Sequence, residues 1–87
     1  MSEKSPVDEL KELLPSLEGK LLSADIYHLN AAIKTAERAN GNGKNNELYA
    51  HIMYLERIAG FDLYYQSNPQ AQELFRRSIS LLEKSHK

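Results

Sequence analysis

Apolar residues recur along most of the chain at the three- and four-residue spacing of a helix, and turn signals divide the pattern into four stretches. Val7, Leu10 and Leu14 make the first face, behind Ser5 as an N-cap and Pro6 as a first helical residue. Asp8 and Glu9 follow, at the positive end of the helix dipole. Pro15 then removes a backbone donor and pushes Leu14 away from α geometry. The spacing therefore predicts a short N-terminal helix, kinked or broken at Pro15. Ser16 can cap a restart, which Gly19 weakens by about 1 kcal/mol relative to alanine.

The second stretch is a narrow stripe of Leu22, Ile26, Leu29, Ile33 and Ala36, suited to packing on another helix. It stops at Asn40-Gly41-Asn42-Gly43, and 40–46 reads as a flexible inter-helix loop. The third stretch, from about Asn46 to Gln66, has three apolar rows. One is Leu48, Ile52, Leu55 and Ala59, which has the look of the obligate core row. A second is Tyr54, Ile58, Phe61 and Tyr65, and a third is Tyr49, Met53, Gly60 and Tyr64. A surface helix needs only one such stripe. The last helix begins at Asn68-Pro69, an N-cap followed by a first-turn proline, and presents Ala71, Leu74, Phe75, Ser78, Ile79 and Leu82 on one face. No stretch alternates apolar and polar residues over a strand length.

These elements predict an all-α protein. The architecture is a small antiparallel helical bundle of three long helices, plus the short N-terminal helix kinked or broken at Pro15. Residues 1–87 form a single domain with flexible ends at about 1–5 and 86–87.

Asp62-Leu63-Tyr64-Tyr65-Gln66-Ser67, then Ala71-x-x-x-Phe75-x-x-Ser78 and Leu81-Leu82, resemble part of a tetratricopeptide-repeat hairpin. The likeness spans about a quarter of the chain and implies a packed helical hairpin, with no ligand attached to it. The turn Asn68-Pro69-Gln70 is about two residues shorter than the repeat's. No second copy follows at a period of roughly 34 residues.

Composition narrows the function classes. The chain has 41% hydrophobic and 26% charged residues, within the range of a folded globular domain. Cysteine is absent, so there is no disulfide framework and no thiolate metal site. Met1 to Pro6 is polar, and no apolar run approaches the roughly 18–20 residues of a membrane span. A cytoplasmic location without membrane association is expected. Net charge is −1, with −2 in residues 1–43 and +1 in residues 44–87, so neither half is a basic patch for nucleic acid.

Little in the sequence carries chemistry. There is no cysteine nucleophile and no Gly-x-Ser-x-Gly turn, and Gly41-x-Gly43 follows a helix and not a strand. No catalytic residue and no cofactor is predicted. Asp25-x-x-His28 and the pair Glu47 and His51 each share a helix face, but a di-metal bundle needs two carboxylate-x-x-His motifs and further inward glutamates. No metal site is predicted. On the last helix Arg76, Arg77 and Lys84 could meet phosphates, although Glu73 and Glu83 dilute their charge.

Four of the five tyrosines fall in the third stretch. Tyrosine joins a large apolar body to a hydroxyl that tolerates water, which suits interfaces. Tyr49, Met53, Tyr54, Phe61, Tyr64 and Tyr65 are therefore the candidate protein-interface residues. The reading is a non-enzymatic interaction module, a small helical adaptor, chaperone or regulator. It would bind another protein or itself, most simply as a dimer. One alternative is an inhibitor, immunity or antitoxin-like protein that neutralises a protein target. A second is a nucleic-acid-binding regulator using the last helix.

Overall fold

A computed structural model describes residues 5–38 and 46–86. The termini and inter-helix loop expected to be flexible fall mostly outside these residues. Within them the structure is all-helical, with no strand. Five helices follow one another: α1 (Pro6–Leu17), α2 (Ser23–Arg38), α3 (Asn46–Phe61), α4 (Leu63–Ser67) and α5 (Pro69–His86).

α1 begins as its sequence dictates. The Ser5 side chain accepts from the Asp8 backbone N–H at 3.1 Å, and Pro6 occupies the first turn. Helix continues through Pro15 to Leu17, so of the kink or break expected there the break does not occur. The reason lies beyond the proline: Leu17 is fully buried, and its burial offsets the lost donor. The chain then turns at Gly19, whose φ of +86° only glycine adopts without strain. The backbone N–H groups of Lys20 and Leu21 both donate to the Leu17 carbonyl there.

Two further corrections concern the middle of the chain. Leu22, expected within the second stripe, sits before α2 and is exposed. The long third helix is divided at Asp62, whose extended backbone (φ −69°, ψ 129°) ends α3 and caps α4. Its carboxylate accepts from the Tyr64 N–H at 2.8 Å. The break changes phase. An unbroken helix would carry the core row Leu48, Ile52, Leu55, Ala59 on to residues 62, 63 and 66. Instead Tyr65 turns inward and Leu63 outward.

α5 packs against each of the other four helices, and α3 also packs on α2 and α4. Phe75, Ile79 and Leu82 of α5 meet Leu10 and Leu17 of α1, Leu29, Ala32 and Ile33 of α2, and the α3 core row in one cluster. The molecule measures 37 × 30 × 17 Å. Its short dimension holds two helix layers at the usual 8–10 Å spacing, so each long helix keeps an outward face.

Candidate functional site: the outward face of the third helix

α3 buries only one of its three apolar rows. Leu48, Ile52, Leu55 and Ala59 are at most 3% exposed, and they form its entire buried set. On the other side Tyr49, Met53 and Tyr54 are 54%, 48% and 50% exposed, and Phe61 reaches 77%. With Ala50, Glu56 and Arg57 they line one shallow depression along the helix. Leu63, just beyond the Asp62 break, is 75% exposed.

The surface continues onto α2. The His28 ring meets Tyr54 edge-on at 4.9 Å and Tyr27 at 6.2 Å. Tyr27 is itself largely exposed. At half to three-quarters exposure, these four aromatic rings with Met53 and Leu63 leave of the order of 600–700 Å² of apolar surface in water. The largest patch on a typical monomer is about 300–600 Å².

Two of the expected interface residues are placed elsewhere. Tyr65 is fully buried and stacks against Phe75 at 4.9 Å. Its hydroxyl accepts from the Leu22 N–H at 3.1 Å and donates to the Asp25 carboxylate at 2.5 Å. Burial first, and the bond to Asp25 second, hold this phenol far above its ordinary range. Tyr64 is half-buried, and its hydroxyl donates to the Lys20 carbonyl at 2.6 Å. This tyrosine pair clips the α1–α2 turn to α4, so Tyr65 is not part of any open surface.

No protein-family model, curated protein or solved structure matches this chain. The site therefore stands on its own geometry.

The remaining candidates are dispersed. Arg76 and Arg77 are exposed on opposite flanks of α5. Arg76 shares a groove with Glu56 and Glu83, and Arg77 shares one with Glu9 and Glu12. Each arginine thus faces carboxylates, and Lys84 lies exposed two turns on. Asp25 is taken by Tyr65, while His28 sits between two tyrosine rings. Glu47 accepts from Arg38 at 3.2 Å and from Thr35 at 3.4 Å, in the groove that His51 lines. Among the described residues no three His, Asp or Glu side chains gather as a metal-binding group, and no helix is long and apolar enough to cross a membrane.

Sequence reasoning missed Tyr27, Ala50, Arg57 and Leu63 on this surface. Ala50 and Arg57 escape an apolar count because one is small and the other charged, though the arginine stem covers apolar surface well. Leu63 gave no signal, since its direction follows from the break at Asp62.

Proposed function

We propose that this protein is a non-enzymatic protein–protein interaction module, a small adaptor, chaperone or regulator, that binds through the outward face of α3. The observation that carries the reading is the exposed set Tyr49, Met53, Tyr54 and Phe61 on a helix whose other side is fully packed. Exposing large aromatic rings is unfavourable for an isolated chain and becomes favourable when a partner removes them from water. Aromatic residues, methionine and arginine are also the types enriched at interfaces. We read the long helices as an antiparallel bundle that supports this face, and the cysteine-free composition supports a cytoplasmic setting.

The test is capture of host proteins by the wild-type chain and by a Tyr54→Glu/Phe61→Glu double variant. Loss of one or more bound species, the chain itself included, is the expected result. An identical set of captured species with both baits would sink the reading.

A further inference from the structure

The outward face of α3 repeats the spacing of its inward face. Leu48, Ile52, Leu55 and Ala59 step by four, three and four residues toward the core. Ala50, Tyr54, Arg57 and Phe61 take the same steps on the opposite side, and all four are exposed. That spacing makes a straight seam along which two helices pack lengthwise. Among the described residues only the inward seam is covered.

We propose that the outward seam is covered by the same seam of a second copy, with the two α3 helices antiparallel about a two-fold axis near residues 55 and 56. This rests on the interaction reading above and specifies its partner. In that arrangement Ala50 lies opposite Phe61 of the second copy, so a small residue faces a large one. Tyr54 lies opposite Arg57 of the second copy, where a guanidinium can cover a ring face. A parallel pair would set Phe61 against Phe61 and Arg57 against Arg57, combining overlap with like-charge repulsion.

Charge supports the same choice. Glu56 and Arg57 are neighbours beside and within the seam, and both line the depression. Antiparallel pairing brings Glu56 of each copy toward Arg57 of the other, which is the self-complementarity a two-fold interface requires.

Gly60 adds an independent sign. Its φ is not positive, and a Cβ built on it meets nothing within 4 Å. Among the described residues nothing needs glycine there, although glycine in a helix costs about 1 kcal/mol relative to alanine. In the antiparallel pair Gly60 lies beside Met53 of the second copy and lets it approach the backbone. The area bears on the same point: Tyr49, Met53, Tyr54 and Phe61 expose about 400–500 Å², and Ala50, the Arg57 stem and, across the His28 contact, Tyr27 extend it toward the roughly 800 Å² per partner of a stable interface.

Light scattering and sedimentation on the purified chain test this directly. A dimer of twice 9.9 kDa is expected, and Phe61→Glu or Tyr54→Glu should raise its Kd by at least about 30-fold. Circular dichroism should show unchanged helicity, since Phe61 is largely and Tyr54 half in water and neither belongs to the core cluster. Orientation is read by cysteine pairing, which the cysteine-free chain permits without background. Ala50→Cys mixed with Phe61→Cys should cross-link. Ala50→Cys alone should not, because its two copies lie roughly 16 Å apart along the helix at about 1.5 Å per residue. Both cysteine variants keep Tyr54 and Arg57, so this readout holds even if a glutamate variant unfolds.

A wild-type monomer at about 1 mM, where even a Kd of that order populates the dimer, overturns self-pairing. It leaves the capture experiment to decide the broader reading. A dimer indifferent to both glutamate variants, or efficient cross-linking of Ala50→Cys alone, also overturns the proposal.

Discussion

Tyr65 donates its hydroxyl proton to Asp25 across forty residues of sequence, at 2.5 Å and out of contact with solvent. The same oxygen accepts from the Leu22 N–H at 3.1 Å. Leu22 precedes α2 as its N-cap and has no side-chain acceptor, and Asp25 is the third residue of that helix. In a capping box the third residue reaches back to the N-cap N–H directly. Here a tyrosine from α4 stands between them and completes the box.

Removing the hydroxyl should therefore cost more than one ordinary hydrogen bond. Tyr65→Phe takes away the acceptor for Leu22 and the buried donor to Asp25. Denaturant unfolding should show a loss of about 1–3 kcal/mol. The double variant with Asp25→Ala should fall short of the sum of the two single losses by about 1 kcal/mol, because the pair acts as a unit. Additive losses would show that the two residues do not work together.

The same tyrosine sets an alkaline limit. Burial and the Asp25 bond raise its pKa above the unfolded value of 10.0. Between those values the folded state binds more protons than the unfolded state, so stability falls as pH rises past 10. Below that pH the contribution is fully present. Thermal unfolding across pH 8 to 11 should show the decline in the wild type and a shallower one in Tyr65→Phe, by about the linkage expected for one proton. Equal slopes in the two proteins would assign the decline to other groups.

The two sides of α3 should respond oppositely to substitution. Leu55→Ala empties a fully buried position and should cost about 2–5 kcal/mol. Phe61→Glu should change monomer stability by no more than about 0.5 kcal/mol, because its side chain is largely in water. Unfolding curves of both variants, taken under dilute conditions, decide this. A large loss for Phe61→Glu would mean that this side chain is packed.

Two glycines make a matched pair. Gly60→Ala adds a Cβ into open space within a helix and should stabilise the monomer by about 0.5–1 kcal/mol. Gly19→Ala also meets open space, but its φ of +86° is strained for alanine, and it should destabilise by about 1 kcal/mol or more. Melting temperatures of the dilute monomer moving in the same direction would contradict the backbone assignment at one of the two sites.

Helix positions and the core row were legible from residue order because they rest on local physics. Ser5-Pro6 and Asn68-Pro69 mark starts, and both begin helices here: Ser5 caps the Asp8 N–H, whereas the Asn68 amide donates back to the Tyr64 carbonyl at the end of α4. The spacing of Leu48, Ile52, Leu55 and Ala59 suffices to align them on one face, and that face is the buried one. Three things awaited the tertiary structure. Pro15 stays within α1 because Leu17 finds a place in the core. Asp62 breaks the third helix because a side-chain cap and a change of phase bring Tyr65 inward. Tyr64 and Tyr65 separate from the other aromatic residues because their hydroxyls meet Lys20 and Asp25, groups more than three dozen residues earlier. Periodicity reports which residues share a face. It cannot say which face is covered when the covering groups come from a distant part of the chain.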